Sequence, residues 1–201
     1  MTGVGSYLPK NKYSNEDLTK FIDTSDEWIT KRSGIKFRHF VSKNETTSDM
    51  AVNAALNAII NAEIKKEVID LIIVATTTPD NTFPATATLV QKKLGINAVS
   101  FDVQAVCAGF VFALSVAKSM MNDNHYNNCL VIGADSMSKL LNWNDRTTSV
   151  LFGDGAGAVI LQKFENIDKK LNDWGILSNV IHSDGNLYDL LKTNGGVSNN
   201  Q

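Results

Sequence analysis

Apolar positions along the chain fall into two patterns. Residues 70–75 (Asp70-Leu71-Ile72-Ile73-Val74-Ala75) and 129–134 are continuous aliphatic runs, the mark of strands covered on both faces. Residues 99–103, 156–162 and 176–181 read as further strands. Between them the apolar positions recur at helical spacing. Met50, Ala51, Ala54, Ala55, Ile59 and Ala62 share one helix face, with Thr47-Ser48 as its cap. A second helix is predicted from Pro84 through Leu94, stopped by Gly95, and a third from Cys107 to Met121. The first third is polar and reads as helical after an opening turn at residues 5–9. Ser14 with Asp17, and Ser25 ahead of Glu27 and Trp28, are helix starts, and Gly34 is a stop. Strands alternating with helices of about ten residues predict an α/β fold, a mostly parallel sheet with helices on both faces.

Composition narrows the function. The 201 residues are 43% hydrophobic, enough for a real core, and the net charge of -2 is mixed along the chain. This pattern gives no basic face for nucleic acid and no polybasic membrane patch. The first six residues lack the basic flank and apolar core of a signal peptide, and no apolar run reaches membrane-spanning length. Cys107 and Cys129 sit in different apolar segments without metal-ligand spacing, which points to a reducing cytoplasm and no metal site.

Cys107 carries the chemistry. It stands in Phe101-Asp102-Val103-Gln104-Ala105-Val106-Cys107-Ala108-Gly109-Phe110, where a strand passes into a helix. A sulfur beside the unpaired N–H groups of a helix start is favoured as thiolate, the nucleophilic form. Ala105, Ala108 and Gly109 leave room for an acyl group; a buried, inert cysteine is the competing reading. The glycines of Phe152-Gly153-Asp154-Gly155-Ala156-Gly157-Ala158 precede a strand at residues 159–161. A phosphate cradle requires strand, glycine turn and helix in that order, so a tight turn with close backbone packing is expected.

Several of these segments, in order, resemble one family. They are Asp23-Thr24-Ser25-Asp26-Glu27-Trp28-Ile29, Arg32-Ser33-Gly34-Ile35, Ala75-Thr76-Thr77-Thr78-Pro79 with Phe83-Pro84, Ala105 to Phe110, Asp145-Arg146-Thr147, and the glycine-rich stretch at 152–158. The chain resembles beta-ketoacyl-acyl-carrier-protein synthase III, a condensing enzyme of the thiolase fold, from Gly3 to Val197. The resemblance implies a thiolase-like half at residues 1–165 and the start of a connecting segment at 166–201, the family's second half lying downstream.

It implies the initiating condensation of fatty acid biosynthesis. Cys107 takes an acetyl or other short acyl group from a coenzyme A thioester, which is a substrate and not a permanently bound cofactor. Malonyl-acyl carrier protein then decarboxylates and attacks the acyl-enzyme. Trp28 and Arg146 match residues that sandwich the adenine of coenzyme A, Arg32 a cation near its phosphates, and Thr24 the same surface. Phe83 matches a residue that crosses a homodimer interface to line the partner's acyl pocket.

The family's decarboxylation residues, a His and an Asn, lie downstream of anything in this sequence; His39 reads as part of a polar loop, His125 as part of a solvated turn at residues 122–128, and His182 lies in Ile181-His182-Ser183-Asp184-Gly185, which matches a non-catalytic family segment. The first strand is expected to be curtailed relative to the family. Condensation by these 201 residues is therefore expected to be impaired. The alternatives are a truncated, non-catalytic dimerisation or decoy remnant, and another thiolase-fold synthase of polyketide or hydroxymethylglutaryl type.

Overall fold

A computed structural model describes residues 1–164 and 175–199. Its five-stranded sheet has the order β1 (Gly3–Tyr7), β7 (Asp154–Gln162), β6 (Asn128–Ser136), β4 (Leu71–Ala75), β5 (Val99–Val103). β5 and β6 pair parallel to β4; β7 is antiparallel to both β6 and β1. Four strands thus run one way and β7 alone opposes them. This is the expected mostly parallel sheet.

Pleat alternation divides the core. Ile72 and Val74 of β4 face Ala51, Ala54, Ala55 and Ala58 of α3 (Thr47–Asn61) and Val90 of α4 (Thr86–Leu94). Leu71, Ile73 and Ala75 face Ala113 and Ala117 of α5 (Gly109–Asn122) on the other side. The alanine stripe of α3 permits close approach. Ideal Cβ atoms on Gly3 and Gly5 of β1 would fall 2.4 Å and 2.3 Å from backbone oxygens of Ala58 and Ala54. Asp102 of β5 accepts from the Thr86 and Ala87 amides at 2.7 Å each, anchoring the start of α4 in place of a local side-chain cap.

A third apolar cluster, Leu18, Ile29, Phe40 and Val150, lies under a two-stranded ribbon of β2 (Asn11–Ser14) and β3 (Phe37–Phe40). It joins α1 (Asn15–Leu18), α2 (Asp26–Ser33) and the end of α6 (Arg146–Ser149). Ser14 and Ser25 cap α1 and α2 as expected, and Gly34 ends α2 at φ 72°.

Several expectations are corrected. The opening turn at residues 5–9 is strand β1 up to Tyr7, completed by pairing with β7, and the ribbon at 11–14 and 37–40 was hidden by its polar residues. Thr46, not Thr47-Ser48, caps α3, in a reciprocal box with Asp49. The helix expected from Pro84 starts at Thr86. The helix expected from Cys107 starts at Gly109, after a 3₁₀ turn at Val106–Ala108. β7 begins at Asp154, so Gly155 and Gly157 lie within the strand and not ahead of it. Residues 176–181 form no strand and leave Leu177 and Val180 exposed. The proposed boundary at 165/166 falls outside the described residues.

Candidate active site

Parallel strands open their carboxyl ends in one direction, and three loops gather there. The first leaves β4 as Thr76-Thr77-Thr78. Asp135, near the end of β6, accepts from the Thr77 amide at 2.8 Å and the Thr78 hydroxyl at 3.1 Å. The second leaves β5 and carries Cys107; Gln104 Nε2 donates to Thr77 Oγ1 at 3.1 Å and ties these two loops together. The third links β6 to β7. Buried Asp154 accepts there from the amides of Ser138 and Val41, each at 2.8 Å.

Cys107 is exposed, so the inert-core reading fails for it and applies to Cys129 instead. Burial among apolar side chains, with Asp70 nearby, pushes the Cys129 thiol far above the usual range. Val106, just before Cys107, adopts φ 47°, a left-handed conformation that a β-branched residue rarely takes. That strained turn directs the chain from β5 into α5 with Cys107 at the bend. Ala108 provides no side-chain cap, so the first N–H groups of α5 face the junction free of a local side-chain acceptor. An oxyanion formed on an acyl group at Cys107 would meet those dipoles.

Trp28 lies half-buried on α2. The Arg32 guanidinium sits 4.3 Å from its ring centroid and that of Arg146, from α6, 5.1 Å, both within cation–π range. Arg146 Nη1 donates to the Asp23 carbonyl at 2.9 Å and lines a cleft of about 410 Å³ with Phe21, Asp23 and Trp143. Thr24 lies beside this cleft with its hydroxyl buried and unpartnered. The structure therefore brings Trp28, Arg32 and Arg146 together, with Thr24 adjacent in the chain. Cys107 is on a separate loop at the same end of the sheet.

Phe83 stands 83% exposed ahead of α4 and belongs to none of the apolar clusters, so it is not the core aromatic that its sequence context alone allows. His39 lies on β3 and not in a polar loop, with Nδ1 2.5 Å from the Pro9 carbonyl. His125 follows the far end of α5, about 20 Å from Cys107 by helix rise. His182 is exposed. Among the described residues no group of three or more His, Cys, Asp or Glu is placed to hold a metal ion.

Sequence reasoning missed Asp102, Asp135 and Asp154 as organisers of these loops, and Arg38 and Asn15 behind α2. Gly153 and Gly155 fit the close-packing reading: added Cβ atoms would lie 3.2 Å from Arg38 Cβ and 3.1 Å from Leu8 Cδ2.

Comparison with known proteins agrees with this architecture. Residues 101–185, which include Cys107 and Arg146, match the family model described as 3-oxoacyl-acyl-carrier-protein (ACP) synthase III. The chain is 56% identical over 199 residues to beta-ketoacyl-acyl-carrier-protein synthase III of Ehrlichia canis, covering 98% of this chain and 61% of that protein. It is 54% identical over 200 residues to the protein of the same name from Paramagnetospirillum magneticum, covering 99% and 61%. Among solved structures it superposes on 3-oxoacyl-(acyl carrier protein) synthase III of Pseudomonas aeruginosa PAO1 with a TM-score of 0.85 at 36% identity, over 99% of this chain and 61% of that one. The chain spans about three-fifths of the length of the curated relatives it matches. Over that span, in sequence and in fold, the chain is similar to the beta-ketoacyl-acyl-carrier-protein synthase III proteins.

Proposed function

We propose that this chain carries the acyl-accepting site of an initiating condensing enzyme of fatty acid biosynthesis. The observation that carries the reading is the exposed thiol of Cys107 at a strained strand-to-helix turn, beside an uncapped helix start. Its thiolate attacks the carbonyl of acetyl-coenzyme A or another short acyl thioester. The new S–C bond forms as the coenzyme A thiolate leaves, and the N–H groups at the start of α5 stabilise the tetrahedral oxyanion between. Trp28 and Arg146 offer an indole face and a guanidinium plane on which a flat base stacks, with Arg32 beside the phosphates and Thr24 on the same surface.

In the second half-reaction malonyl-acyl carrier protein loses CO2. Its carbanion attacks the acyl-Cys107 thioester and gives 3-oxoacyl-acyl carrier protein, regenerating the thiolate. Within these 201 residues the parts for acylation are present. The His and Asn that the family pattern assigns to decarboxylation are not among them, so the chain alone is expected to stop at the acyl-enzyme. A cytoplasmic homodimer completes the proposal. The 83% exposure of Phe83 suits a side chain that enters a partner's acyl pocket. Among the described residues no helix is long and apolar enough to cross a membrane.

The test is labelling with radioactive acetyl-coenzyme A. Label should appear on Cys107 and be lost in Cys107→Ala; equal labelling of the alanine variant would refute the assignment. A dimerisation or decoy role without catalysis is favoured by one observation, the exposed Leu177, Val180, Tyr188 and Leu190 of the C-terminal stretch. It predicts a complex with a full-length homologue and no acylation.

A further inference from the structure

Arg38 is a buried charge that the acylation chemistry does not use. It lies on β3, 5% exposed, and none of the ion pairs among the described residues includes it. Its partners are neutral. Nη1 donates to Asn15 Oδ1 at 2.7 Å, Nη2 donates to the Val150 carbonyl at 3.1 Å, and Nε has no partner. Holding a cation this way is costly, and a well-packed apolar residue would serve stability better. What the guanidinium uniquely supplies is a rigid fork with donors in two directions.

Those two directions lead to the two helices that carry Trp28 and Arg146, whose side chains meet at 5.1 Å. Asn15 is 1% exposed, and its Nδ2 donates to Asp26 Oδ1 at 2.8 Å and to the Ile35 carbonyl at 2.7 Å. Asp26 is the first residue of α2 and Ile35 lies just past its Gly34 cap, so Asn15 grips the helix of Trp28 and Arg32 at both ends. Val150 closes α6, the helix that carries Arg146. Gly153 leaves the space above Arg38 Cβ that this arrangement needs.

We propose that Arg38, acting through Asn15 and Val150, is a positioning residue that fixes the distance between Trp28 and Arg146 and so sets affinity for the nucleotide end of coenzyme A. This rests on the coenzyme A reading of Trp28 and Arg146 given above. The tests use the full 201-residue chain. Arg38→Lys keeps the charge, but one ammonium cannot reach both Asn15 and Val150. Coenzyme A affinity, measured by calorimetry, should fall about tenfold, the scale of one displaced cation–π contact. The acetylation rate of Cys107 at saturating acetyl-coenzyme A should stay unchanged.

In an Arg146→Ala background the same substitution should cost much less, because the helix it positions no longer bears a guanidinium. Amide exchange should quicken together in α2 and α6 and stay the same in α3. A folded Arg38→Lys chain with wild-type affinity, or a fully additive loss with Arg146→Ala, overturns the proposal. If Arg38→Lys does not fold, Asn15→Ser carries the same measurements, because it releases α2 and leaves the Val150 contact. If the wild-type chain binds no coenzyme A, the coenzyme A reading fails and exchange decides positioning alone. Coupled acceleration in α2 and α6 then supports it, and unchanged exchange overturns it.

Discussion

Replacing Gly5 by alanine tests the packing that holds this sheet under its helix. An ideal Cβ there would lie 2.3 Å from both Ala54 O and Ala58 N and 2.9 Å from Asn57 C, all backbone atoms of α3. Nothing at this contact is the movable end of a side chain. β1 or α3 must shift bodily, and α3 is packed against Ala158 and Ile160 of β7 as well. The cost should sit at the upper end of overpacking, about 3 kcal/mol or more. For a chain of this size that lowers Tm by about 6–12 °C. Gly157, on the adjacent strand β7 and paired with Ser6, is the control: an added Cβ meets nothing within 4 Å. Gly157→Ala should be neutral or gain up to about 1 kcal/mol by restricting the unfolded chain. Urea and thermal unfolding of the two variants would decide it. Equal effects at the two positions would refute the argument that β1 glycines exist to admit the helix.

Three further outcomes are expected. Iodoacetamide should modify one thiol per native chain, at Cys107, and reach Cys129 only on unfolding, which peptide mapping would show. Asp154→Asn should cost about 2–3 kcal/mol in urea unfolding, since its NH2 would face one of the amides of Val41 and Ser138 and leave a buried donor unpaired. The Asn15 hydrogen bond holds the Asp26 carboxyl below the usual aspartate range. Its contribution is therefore present above the unfolded-state pKa and is lost as pH falls through the depressed value. Asp26→Asn should flatten the acid side of a stability–pH curve, and an unchanged curve would contradict this.

Local signals were readable wherever one residue determines one structural event. Ser14, Ser25, Gly34 and Gly95 punctuate helices through their own side chains or positive φ, and they do so where the sequence places them. The doubly buried strands β4 and β6 were legible because both faces are apolar. β2 and β3 were not, since a polar strand is defined by its partner, here about 25 residues away. The start of β7 was missed because glycine is a poor strand former in isolation, yet Gly155 and Gly157 pair with Asp135 and Gly133 of β6. At the site, Cys107, Trp28, Arg32 and Arg146 were found through motif order. Arg38, Asn15 and Asp154 act between segments distant in sequence, with Arg38 reaching 112 positions to Val150, and no local pattern encodes that.

The central claim is that Cys107 accepts an acyl group. Intact-mass analysis of the 201-residue chain after incubation with acetyl-coenzyme A, followed by peptide mapping, tests it most directly. The account predicts the gain of one acetyl group per chain, placed on Cys107 and absent from Cys107→Ala. An unmodified folded chain, or an acetyl group that maps to another residue, would contradict it.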